Sequence, residues 1–132
     1  MPTNKVIVLV VEDEALVRMN AVGLLEDAGY EVLEASDTEH ALVILESRTD
    51  IGLVFTDVEM PGAIDGIGLT HQIRERWPRM LMVVASGKAI FDENRLPVGA
   101  RFFRKPYTDS IIVRAMAQMF AANDLRPSGL AG

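Results

Sequence analysis

The 132-residue chain has no cysteine. That excludes a disulfide scaffold, a thiolate metal site and a cysteine nucleophile, and it suits the cytosol. Long apolar runs are missing too. The run Val6–Val11 is far shorter than the roughly 20 residues that cross a bilayer, and it meets Glu12, Asp13 and Glu14 with no cleavage-site pattern. Neither a membrane span nor a signal peptide is expected, and the expected location is cytoplasmic. Positive charge is in deficit: 13 Lys and Arg stand against 19 Asp and Glu, a formal charge of −6. Such a domain is poorly equipped to neutralise the phosphates of a nucleic acid, so no nucleic-acid partner is expected. Repeats and low-complexity tracts are absent as well.

Hydrophobic residues make up 49% of the chain, enough for a core in one domain of ordinary size. Val6–Val11 is a β-branched run of the kind buried on both faces of a parallel sheet. The pattern then predicts a helix over Glu14–Ala28 stopped by Gly29, a strand over Val32–Ala35, and a helix over Thr38–Arg48 capped by Ser36 or Asp37. A strand over Ile51–Thr56 ends at Asp57, a helix over Gly66–Trp77 is stopped by Pro78, and a strand over Met80–Ala85 ends at Ser86. Residues 89–100 are ambiguous. A short strand, Arg101–Arg104, precedes Lys105–Pro106, and a last helix over Tyr107–Ala122 carries Ile112, Ala115, Met116 and Met119 on one stripe. This places one domain at 1–122 and a frayed tail at 123–132. Strand–helix alternation predicts the α/β class with a parallel sheet and helices on both faces. His40 and His71 are expected on the surface. Arg74, Arg76 and Arg79 are expected at a solvated helix end, and Arg101 and Arg104 on an alternating, solvent-facing strand.

In a parallel sheet all strands end at one edge, where ligands bind. Four strand ends here carry reactive groups: Glu12 and Asp13, then Asp57, then Ser86, then Lys105. Each has a structural account by itself, as a helix-start acid, a turn residue or an exposed loop lysine. Their joint placement, one set per strand end, points to chemistry. Crowded carboxylates raise their own pKa values or hold a cation, and hard oxygen donors favour Mg²⁺. With a cation, Lys105 and the Ser86 hydroxyl to spread charge, a phosphoryl group can approach an aspartate and form an acyl phosphate.

The segments VLVVEDE at 8–14, FTDVEMPG at 55–62, DG at 65–66, VVASG at 83–87 and FRKPY at 103–107 resemble the receiver domain of bacterial two-component response regulators, of the stand-alone, single-domain type. The resemblance covers nearly the whole chain. It implies a flavodoxin-like, doubly wound, five-stranded sheet in the order 2-1-3-4-5. It implies that Asp57 accepts phosphate from the phosphohistidine of a sensor histidine kinase or phosphotransfer protein. Asp13, Asp57 and the backbone carbonyl of Glu59 would bind Mg²⁺, with Glu12 in the outer shell. Lys105 and Ser86 would hold the phosphoryl group, Phe102 would be the aromatic switch position, and Lys105–Pro106 would be cis. Glu59 and Lys88 would tune hydrolysis at the opening, where their opposite charges invite a pair. A monomer or weak dimer is expected.

The loop MPGAIDG is one residue longer than the common family pattern, so a small bulge is expected there. Phe102 lacks a hydroxyl and can switch only by packing. The short span from Ser86 to Lys105, with Pro97 and Gly99 inside it, predicts a truncated or irregular fourth helix. A nucleotide-binding module would need a glycine-rich turn where this chain has Glu12–Asp13–Glu14. An aspartyl-phosphate phosphatase would carry its nucleophile after the first strand. The expected function is therefore phosphorelay signalling without classical enzyme activity, with output by protein–protein contact. A phosphate sink, a relay intermediate or a phosphate-independent interaction domain are the alternatives.

Overall fold

The computed structural model describes residues 5–60, 64–88 and 91–124. The elements are β1 (Ile7–Val11), α1 (Ala15–Asp27), β2 (Glu31–Ala35), α2 (Thr38–Ser47), β3 (Ile51–Asp57), α3 (Gly66–Arg76), β4 (Leu81–Ser86), a 3₁₀ turn (Glu93–Arg95), β5 (Arg101–Arg104) and α4 (Asp109–Asp124). Their ends fall within two residues of those expected from patterning. The strands are all parallel, in the order β2-β1-β3-β4-β5. Among the described residues no α-helix joins β4 to β5; the 3₁₀ turn stands in its place. The expected bulge in MPGAIDG falls partly on 61–63, and the expected tail mostly on 125–132, both outside the described residues.

Successive strand residues point to opposite faces, so the apolar runs supply two cores at once. Ile7, Leu9, Val11, Val54 and Met82 pack on one face against Ala41 and Leu45 of α2 and Leu69 and Ile73 of α3. Val8, Val10, Leu53, Phe55 and Val83 pack on the other against Ala21 and Leu25 of α1 and Ile112 and Met116 of α4. Each fully buried Leu or Ile contributes about 1.5–3 kcal/mol, which fixes register and holds the strand ends level.

Edge strand β5 departs from the expected alternation. Phe102 enters a cluster with Val58, Ile67 and Val84, and Phe103 enters the α1/α4 core, so both faces of the strand are covered and only Arg101 and Arg104 are exposed. Arg74 departs too. Its Nη1 donates to the carbonyls of Pro78 and Met80, each at 2.9 Å, so it clasps the turn into β4 rather than extending into solvent. Arg76 does face outward, paired with Glu46 at 2.8 Å and lying 4.5 Å over the Trp77 ring. Both histidines are exposed, and His71 Nε2 lies 2.6 Å from the Arg95 carbonyl.

Helix α3 starts hard against the end of β3. Asp65 caps it by accepting from the Gly68 amide at 2.8 Å, and the Gly66 amide donates to the Val58 carbonyl at 3.0 Å. A Cβ on Gly66 would lie 2.1 Å from the Asp57 carbonyl oxygen and 2.7 Å from the Val58 Cα. Gly66→Ala is therefore expected to lower stability by more than about 2 kcal/mol, since overpacking against backbone has no flexible side chain to yield. Gly23, inside α1, has nothing within 4 Å of its virtual Cβ. Gly23→Ala should raise stability by about 0.5–1 kcal/mol. Urea unfolding of the two variants checks the pair; equal effects would contradict this account.

Candidate functional site

The C-terminal ends of β1, β3, β4 and β5 meet at one rim. Asp57 is the last residue of β3 and Ser86 the last of β4; Glu12 directly follows β1, and Lys105 directly follows β5. Backbone hydrogen bonds continue the sheet past these ends: the Val58 amide donates to Ala85 O at 2.9 Å and the Lys105 amide to Ser86 O at 2.8 Å. The Lys105–Pro106 bond is cis.

The Lys105 ammonium lies 2.9 Å from Asp57 Oδ2 and 3.5 Å from Glu12 Oε1. The two carboxylates are nearly closed off, with side-chain exposures of 9% and 6% against 27% for the lysine. Each has a second donor: the Glu59 amide reaches Asp57 Oδ1 at 3.1 Å, and the Glu14 amide reaches Glu12 Oε2 at 3.0 Å. The site thus holds two acids and one ammonium. Burial and the charge of Asp57 push the Glu12 carboxyl up to about 7, against the opposing pull of the Glu14 amide and Lys105. Burial by itself would lower the Lys105 pKa, but its hydrogen bond to Asp57 and the two carboxylate charges raise it instead, so the ammonium is firmly held.

Asp13 was expected to complete a three-carboxylate cluster. It is exposed, one residue beyond Glu12, and among the described residues no group of three acids or histidines is assembled to hold a metal ion. The ammonium of Lys105 takes the central place instead. The oxygens at hand are still of the hard type that Mg²⁺ prefers, and the raised pKa of Glu12 marks a place where added positive charge is favoured. On those grounds the residues fit the ion.

Ser86 is fully buried, and its Oγ donates to Glu59 Oε2 at 2.7 Å. The Gly87 amide also reaches Glu59, at Oε1, 3.3 Å away. The Glu59 carboxylate therefore goes to the end of β4, and among the described residues no ion pair joins it to Lys88. Phe102 stacks on Phe91 at 4.8 Å and 16° and packs with Val58, Ile67 and Val84. Two more groups position the backbone here: Arg18, which the sequence did not single out, and Arg104, expected on a solvent-facing strand. Arg18 Nη1 donates to the Glu12 carbonyl at 2.8 Å while its Nε reaches Glu34 at 3.1 Å, tying the acidic turn to α1 and β2. Arg104 Nη1 donates to the Lys88 carbonyl at 3.0 Å and steadies the loop after Ser86.

The sequence profile of the response regulator receiver domain family matches residues 8–117. The chain is 35% identical over 122 residues to the sensor kinase CckA of Brucella abortus, covering 89% of this chain and 13% of that protein. Its structure resembles that of the receiver domain of hybrid histidine kinase CckA, with a TM-score of 0.71, 37% identity, and 85% of this chain and 96% of that one covered. It also resembles a response regulator receiver protein from Sinorhizobium medicae, with a TM-score of 0.83, 28% identity, and 89% and 96% covered. Against full-length relatives the match is short: the chain spans 13% of the CckA kinase and 54% of the regulatory protein PdtaR of Mycobacterium tuberculosis. Among the described residues no helix is long and apolar enough to cross a membrane. The chain belongs to the response regulator receiver domain family, the signalling modules of two-component systems.

Proposed function

We propose that Asp57 accepts a phosphoryl group from a phosphohistidine of a sensor histidine kinase or phosphotransfer protein, and that the phosphorylated chain signals by protein–protein contact. The observation that carries this reading is the Lys105 ammonium 2.9 Å from Asp57, at a rim where a buried hydroxyl and a second carboxylate also stand. A carboxylate oxygen of Asp57 attacks phosphorus, the P–N bond breaks, and its electron pair stays with the departing imidazole, which then takes a proton from solvent. The product is an acyl phosphate on Asp57. Lys105 pairs with the carboxylate and offers N–H donors to the oxygens where charge builds. Ser86 is the hydroxyl donor on the side of β4. Asp13, Asp57 and the Glu59 carbonyl would hold Mg²⁺, with Glu12 behind them, and the ion would supply charge neutralisation as phosphate approaches.

Incubation with a small acyl-phosphate donor and Mg²⁺ tests the reading. Wild-type protein should become labelled, and Asp57→Asn should fold and remain unlabelled; labelling of that variant at the wild-type level would remove Asp57 from the role. Asp13→Ala should weaken Mg²⁺ binding and stop labelling. Loss of a preorganised charge donor typically costs about 100-fold or more, so Lys105→Ala should slow labelling to that degree.

Metal binding should also depend on pH. Glu12 holds its proton up to about pH 7, and a bound cation favours the ionised form. Apparent Mg²⁺ affinity should therefore climb as pH rises through that value and level off above it. Glu12→Gln should flatten the climb. Calorimetric titrations across the range check this, and a pH-independent affinity in the wild type would contradict it.

A further inference from the structure

The phosphotransfer reading uses the backbone of Glu59, and among the described residues the pairing with Lys88 expected of its side chain is not formed. That side chain is nevertheless firmly engaged. Its carboxylate accepts from Ser86 Oγ at 2.7 Å and from the Gly87 amide at 3.3 Å. The Ser86 hydroxyl has a single proton. Because Oγ already accepts from the Lys88 amide at 3.1 Å, that proton is committed to Glu59. Meanwhile the backbone amide of Glu59 donates to Asp57 Oδ1 at 3.1 Å. One residue thus holds the acceptor with its backbone and the neighbouring hydroxyl with its side chain.

A carboxylate oxygen and a phosphoryl oxygen seek the same partners, hydroxyl and amide protons. We propose that the Glu59 carboxylate is a built-in competitor of the phosphoryl group: it occupies the Ser86 hydroxyl and Gly87 amide in the unphosphorylated chain and has to leave them when phosphate is held on Asp57. The proposal rests on the reading of Asp57 as acceptor. One proton cannot serve two anions at once, and the acyl phosphate brings about 1.5–2 negative charges to a place where the Asp57 carboxylate brought one, beside the Glu59 carboxylate. The groove next to Glu59 offers it new partners, since Lys88 and Arg95 line that groove. Arg95 lies in the 3₁₀ turn that replaces a helix between β4 and β5, so the departing carboxylate would carry the state of Asp57 to that surface segment.

The test uses beryllofluoride, a non-covalent phosphoryl analogue, titrated at saturating Mg²⁺ and followed by amide NMR. Glu59→Ala is expected to lower the half-saturating concentration about tenfold, the scale of one charge-assisted hydrogen bond released. Glu59→Gln, which keeps a neutral acceptor for the hydroxyl, should gain less. In a Ser86→Ala background the gain from Glu59→Ala should largely vanish, because the contested hydroxyl is gone. A gain of equal size in both backgrounds, or equal gains for Ala and Gln, would reduce Glu59 to a general charge effect and overturn the proposal. No gain at all, with the wild type binding normally, would overturn it while leaving the acceptor reading intact. Folded proteins that never bind beryllofluoride, wild type included, would overturn both.

Discussion

The ammonium of Lys105 stands between two nearly buried carboxylates, and the rest of the site is arranged around that contact. Two carboxylates at that depth repel each other and are costly to ionise; one ammonium offsets part of the cost, and hydrogen bonds from the Glu14 and Glu59 amides offset more. Burial first, and then the charge of Asp57, still leave the Glu12 carboxyl raised to about 7. A site in that condition favours a cation, and with the cation in place it can tolerate an incoming phosphoryl group. The lysine thus offsets part of the cost of burying the acids, and in the proposed function it is also the donor to the incoming phosphoryl oxygens.

That contact spans residues 12 to 105, and only the sheet brings them together. β1, β3, β4 and β5 deliver one group each because parallel strands end at a common edge. Two apolar layers hold those ends in register, and Gly66 lets α3 press against the backbone of Asp57 and Val58. The scaffold is rigid beneath the acceptor and irregular beside it, where a 3₁₀ turn replaces a helix and Phe91 lies over Phe102.

Much of this was legible in the sequence. The β-branched runs located the strands, strand–helix alternation predicted helices on both faces, and reactive residues at strand ends placed the rim; the short span before Lys105 predicted a truncated or irregular helix, and among the described residues a 3₁₀ turn stands there. The remainder depended on side-chain directions that periodicity does not encode. Charge signs alone invited a pair between Glu59 and Lys88, yet the carboxylate turned to a hydroxyl and an amide nearer to it. Three acids close in sequence and topology suggested a cluster, but Asp13 faces solvent while Lys105 takes the middle. Arg74, in a run of surface-type residues, bends back to two carbonyls that the chain turn at Pro78 leaves open. The Arg18 clasp ties α1 to the turn after β1 and to β2 through side-chain directions that leave no trace in the local pattern.

In the proposed function this charge arrangement serves a phosphoryl group on Asp57. The most direct test of that function is to phosphorylate the chain with a small donor and Mg²⁺, reduce the acyl phosphate with borohydride, and locate the modified residue by peptide mass spectrometry. The account predicts modification at Asp57 alone. Modification at Glu12, Asp13 or Glu59 instead, or none in protein that binds Mg²⁺, would contradict it.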